Sequence, residues 1–196
     1  MARQGPYVSI TNPLPAGTNS LGSVSLDAGT DSVGTVGLDA GEEHVGQVGG
    51  EAAVGTLTVA AGTVAYASGD LIGTKMTWGT AFRSTKYSGY LSKLVWQDPD
   101  AQEYDFDVVI WKADPSNTTF TDNSALDVDD DDLLQVAEVV NVYSSDFASF
   151  ADNSVAQVEP KNLVVGDGAD LYVAVVARGT PTYAGTPQLL AFMDQN

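Results

Sequence analysis

The chain has no cysteine and a single histidine, His44. The first absence excludes disulfides, thiolate metal sites and cysteine nucleophiles; the second excludes zinc clusters and triads that depend on paired imidazoles. Positive charge is also scarce, with 8 Lys and Arg against 26 Asp and Glu and a formal net charge of −18. A phosphate backbone would meet repulsion from such a surface, so nucleic acid is not an expected partner. The longest apolar run, 171–177, falls far short of the roughly 20 residues a bilayer-crossing helix needs, so no membrane association is expected. The opening Met-Ala-Arg-Gln-Gly-Pro holds no apolar stretch of the secretory kind, which predicts a soluble protein made in the cytoplasm.

What is present is unevenly spread. Of 20 glycines, 12 fall in residues 1–63, whereas 16 of the 17 aromatic side chains follow from Tyr66 onward. Large side chains fill cores, so the sequence divides into an extended arm, 1–63, and a folded domain, 64–196. The arm has its own order: a twelve-residue unit repeats without a gap over 16–27, 28–39 and 40–51. Each unit opens on Ala-Gly and polar residues, a turn signal, and then places apolar residues at Leu21, Val24 and Leu26, again at Val33, Val36 and Leu38, and finally at Val45 and Val48. Spacings of three and two match neither a helix face nor a strand. One unit alone buries almost nothing, so the repeats stack on one another, wind with other chains, lie as a strap on a partner, or serve as a Gly-rich linker. The strap reading makes Leu21, Val24, Leu26, Val33, Val36 and Leu38 the anchors on the partner.

From Tyr66 the sequence reads as strands over 71–78, 90–96, 104–112, 136–143, 155–158, 170–177 and 188–193, with 54–59 a further strand leading in. Alternation is clear at Tyr104, Phe106, Val108 and Ile110 against Asp105 and Asp107. Turn clusters such as Gln97-Asp-Pro-Asp and Gly166-Asp-Gly separate the strands. The expected fold is all-β, an antiparallel β-sandwich of jelly-roll type.

The sharpest chemical motif is the acidic run 127–138. Asp127, Asp129, Asp131 and Glu138 occupy positions 1, 3, 5 and 12 of a calcium-loop template, but position 6, which needs glycine, holds Asp132. The preferred reading is a solvated loop whose last Asp residues cap a helical turn beginning near Leu133. The pairs Asp98 with Asp100 and Asp105 with Asp107 have the composition for glycoside hydrolysis, yet nothing in the spacing selects one of them, and acids on a strand's solvent face are expected in so acidic a chain. Trp78, Trp96 and Trp111 sit near strand ends, where core plugging is favoured over a sugar platform. No cofactor and no enzymatic activity are expected.

Three stretches, 67–73 (Ala-Ser-Gly-Asp-Leu-Ile-Gly), 113–126 and 176–183 (Val-Ala-Arg-Gly-Thr-Pro-Thr-Tyr), resemble segments of virion proteins of tailed bacteriophages. The repeat that starts at Pro13-Leu-Pro-Ala-Gly-Thr-Asn-Ser-Leu-Gly is similar to segments of phage structural and tail proteins. The resemblance implies a jelly-roll capsid decoration (cement) protein: a homotrimer on the virion head surface, with the major capsid protein as partner. It carries no catalytic residues. The alternative is a tail fibre or receptor-binding protein whose sandwich tip binds a glycan.

Overall fold

The computed structural model describes residues 52–82 and 87–195. His44 and the six arm anchors, Leu21, Val24, Leu26, Val33, Val36 and Leu38, lie outside the described residues. The chain forms ten strands: β1 (Ala52–Thr58), β2 (Leu71–Trp78), β3 (Ser88–Asp98), β4 (Phe106–Trp111), β5 (Val136–Val142), β6 (Phe147–Ser149), β7 (Ser154–Val158), β8 (Asn162–Val165), β9 (Leu171–Ala177) and β10 (Gln188–Gln195). One helical turn, α1 (Asp130–Leu133), lies between β4 and β5.

The strands make two antiparallel sheets, one ordered β1-β10-β3-β7-β6 with β8 also against β3, the other ordered β2-β9-β4-β5. Pairing runs inward from the two ends of this region: β1 with β10, β2 with β9, β3 with β7 and β8, β4 with β5. A ribbon paired in that way closes into two sheets when β10 also meets β3 and β9 also meets β4. That is the strand order of a jelly roll, and it confirms the all-β sandwich expected from alternation and turn spacing.

Alternation decides what enters the core. Leu57, Leu91, Leu94, Trp96, Leu189 and Met193 point inward from the first sheet and meet Ile72, Trp78, Phe106, Val108, Ile110 and Val173 from the second. The Trp96 and Phe106 rings lie 4.6 Å apart between centroids, an aromatic contact across the two layers. All three tryptophans are buried. Trp78 and Trp96 belong to the main core, while Trp111 joins Leu71 and Ala174 in a second cluster on the outer side of the β2-β9-β4-β5 sheet.

That second cluster is roofed by the 112–135 connection, which packs Phe120, Leu126 and Val128 on it. The outer face of the six-stranded sheet has no such cover among the described residues.

One boundary needs correction. β1 pairs with β10 through seven consecutive residues, and Leu57 and Val59 are buried in the core. The sandwich therefore includes residues 52–63, which the glycine count had assigned to the arm; the start drawn at residue 64 cuts inside the domain. Gly55 shows why the count misled. It faces inward on β1, where a Cβ would run into the Trp78 indole, so its glycine makes room for a core side chain.

Candidate functional site

The described surface is most elaborated in the 112–135 roof. Its middle pairs with the start of β2: Leu71 N–H donates to Ser124 O at 2.9 Å, and Asn123 N–H donates to Leu71 O at 3.0 Å. Two carboxylates clamp the rest. Asp122 Oδ1 accepts from the Tyr66 hydroxyl and from Gly73 N–H, both at 2.7 Å, and the Tyr66 oxygen accepts from Gly62 N–H at 2.6 Å. Asp132 Oδ2 accepts from Asn117 N–H at 2.9 Å, Thr118 N–H at 2.6 Å and Thr118 Oγ1 at 2.8 Å. Lys75 braces the same roof, ion-paired with Asp114 and 5.5 Å from the ring centres of both Phe120 and Tyr172.

Between these clamps lies an open groove of about 420 Å³, lined by Leu71, Asn117, Thr119, Thr121, Ser124, Ala125, Leu126, Asp127 and Asp129. Hydroxyl, amide and carboxylate groups on an apolar floor suit a polyhydroxylated ligand, whose vicinal hydroxyls need acceptors close together.

The calcium candidates take separate positions. Asp129 is the N-cap of α1, its side chain accepting from Asp131 N–H at 3.0 Å. The helical turn thus begins at Asp130, three residues before the expected place near Leu133. Asp131 is exposed, and Asp127 lines the groove with Asp129. Glu138 stands on β5, where Oε2 accepts from Asn162 Nδ2 at 2.9 Å. No group of three or more His, Cys, Asp or Glu is placed to hold a metal among the described residues. Asp132, the residue that breaks the calcium template, is instead the buried anchor of the roof.

Replacing Asp132 by Ala leaves three donors without a partner and is expected to cost about 2–4 kcal/mol of stability. The double change Asp129→Asn with Asp131→Asn is expected to cost less than about 1 kcal/mol. Thermal melts with millimolar calcium and with chelator should coincide; a calcium-dependent rise lost in the double variant would restore the metal reading.

The paired carboxylates are engaged in the framework. Buried Asp98 accepts from the backbone N–H groups of Asp100, Gln102 and Glu103, at 3.0, 2.7 and 3.2 Å. Asp100 Oδ2 accepts from Ala184 and Gly185 N–H at 2.8 and 2.7 Å, tying the β3–β4 and β9–β10 loops together. Asp105 Oδ1 accepts from Ser144 N–H at 2.6 Å. Asp107 Oδ2 takes Arg178 through both Nε and Nη2 at 2.6 Å, while Oδ1 accepts from Asn141 Nδ2 at 2.6 Å.

Two phenols near these loops are held protonated. Burial pushes the Tyr66 hydroxyl far above its ordinary value, and its hydrogen bond to Asp122 adds to the rise. Burial does the same to Tyr183, followed by the charge of Asp98.

No family model, no curated protein and no solved structure matches the chain.

Proposed function

We propose that the protein is a structural component of a tailed-phage virion: a capsid decoration (cement) protein that binds the outer surface of the head as a homotrimer and stabilises it by bridging major capsid subunits. The observation that carries the reading is the joining, in one chain, of a jelly-roll sandwich to three in-register repeats that end at residue 51, immediately before β1. The resemblance of 13–22, 67–73, 113–126 and 176–183 to phage virion segments supports the same reading. Under it the protein is not an enzyme, needs no cofactor, and is assembled in the host cytoplasm.

Attachment comes from many small contacts. Each fully buried Val or Leu is worth roughly 1.5–3 kcal/mol, so the six arm anchors supply on the order of 10 kcal/mol before ordering costs. Those costs are heavy for a Gly-rich strap, so the net gain per chain is modest and multivalency across the trimer makes it strong. A chain lacking residues 1–51 is expected to fold but to co-sediment with expanded, undecorated capsids much more weakly than the whole protein. Equal binding by the two would show that the arm is not the anchor.

The groove between Asn117 and Asp129 favours a second reading, a tail fibre or receptor-binding protein whose sandwich tip holds a glycan. Antibody labelling of purified virions separates the two, since decoration predicts label over heads and the fibre reading predicts label confined to tails.

A further inference from the structure

We infer that the outer face of the six-stranded sheet is a self-association surface, docking a second copy of this chain. The strand register places Val54, Phe192 and Lys93 in one row across β1, β10 and β3, and Thr56, Leu190, Val95 and Gln157 in the next, which continues onto β7. Tyr90 and Leu163 form a third row between β3 and β8, with Val165 beside it. These positions alternate with the core-facing residues, so they point away from the core. Val54, Tyr90, Leu163 and Val165 remain 55, 48, 52 and 54% exposed.

The matching face of the other sheet carries an apolar cluster under a roof of 24 residues, 112–135. No described segment does this for the six-stranded sheet. Four strand widths by about seven residues give a footprint of roughly 500 Å² before side-chain relief, close to the ~600 Å² per partner where specific interfaces begin.

Charge selects the occupant. Two copies at −18 each repel, and the roof over the other sheet, 112–135, holds seven aspartates. On the outward positions of the six-stranded sheet, among the described residues, Asp194 is the sole carboxylate, and Lys93 lies 4.6 Å from the Phe192 ring centre. Here like-charged copies can meet without bringing carboxylates together, and the apolar rows lose water when they do. A basic partner would be drawn to the acidic roof instead. The inference rests on the proposed homotrimer only for the number of copies, and adds the surface they use.

The whole protein is to be weighed by sedimentation equilibrium beside Val54→Asp with Leu163→Asp, two exposed positions on β1 and β8. A control, Leu134→Asp, sits on the roof side at a residue 75% exposed. The wild type and the control are expected to run as the same oligomer, and the double variant to fall to the 20.4 kDa of one chain. Because the chain has no cysteine, single Leu163→Cys and Leu134→Cys variants give a second readout that needs no charge in the interface. Alkylation is expected to be many-fold slower at residue 163 than at 134. A monomeric wild type overturns both this inference and the homotrimer. An oligomer that survives the double substitution, or alkylates equally fast at both positions, overturns the inference and leaves the homotrimer standing.

Discussion

A chain beginning at residue 52 is expected to melt in one cooperative transition, whereas a chain beginning at residue 64 is expected to melt about 10–20 °C lower or not to fold at all. The shorter chain loses β1 and with it the whole seven-residue ladder on β10. It also loses Leu57, 6% exposed, and Val59, fully buried. Two such side chains are worth about 3–6 kcal/mol, against a total stability of 5–15 kcal/mol for an ordinary domain. The losses do not end there. Trp78 packs over Gly55, so removing β1 uncovers a core tryptophan, and β10 becomes an unprotected sheet edge next to apolar residues. Circular dichroism melts of the two chains decide it; equal midpoints would return β1 to the arm.

The same strand shows which features of the fold are legible in the sequence. β2 was readable to the residue, 71–78, because Leu71, Ile72, Met76 and Trp78 with two threonines lie between the turn signals Ser68-Gly69-Asp70 and Gly79-Thr80. β4 was readable by face: Phe106, Val108 and Ile110 enter the core while Asp107 points out, as alternation requires. β6 and β8 were missed. They span three and four residues, too short for a period to register, and two of the apolar residues of β8, Leu163 and Val165, face out. A local pattern cannot show that pairing with β7 makes β6 a strand and pairing with β3 makes β8 one.

The site was less legible than the fold, for a related reason. Asp132 looked like a defect in a calcium template because only its neighbours in sequence were available for comparison. Its three donors come from Asn117 and Thr118, on the far side of the roof. Trp111 shows the same gap. It is buried, as its place near a strand end suggests, but the 112–135 roof covers it on the outer side of its sheet, away from the main core, and that cover is not visible in the local pattern. The groove between Asn117 and Asp129 likewise exists only because Asp122 and Asp132 fold the connection back on β2, and no spacing rule encodes that.

Alkaline pH is expected to unfold the domain through Tyr66 and Tyr183. Both are nearly inaccessible, at 2 and 3% exposure, and their rings meet edge to face with centroids 6.2 Å apart. In the unfolded chain a phenol ionises near pH 10. In the folded chain burial raises both well above that value, helped by the carboxylate of Asp122 at Tyr66 and the charge of Asp98 at Tyr183. Between the two values the unfolded state binds fewer protons than the native state, so stability falls as pH rises. The stabilisation is whole below pH 10 and is lost on the way up to the folded values, at up to about 1.4 kcal/mol per pH unit for each tyrosine and about 2.7 for both. At neutral pH neither phenol ionises in either state, so no pH dependence arises from them there. Urea titrations at stepped pH values above 9 measure the slope. Tyr183→Phe keeps the ring beside Trp96 and is expected to halve the slope. Tyr66→Phe also removes a partner from Gly62 N–H and from Asp122, so it should lower stability at neutral pH by about 1–3 kcal/mol while flattening the alkaline limb. An alkaline slope unchanged in the double Phe variant would show that these two hydroxyls do not control the transition.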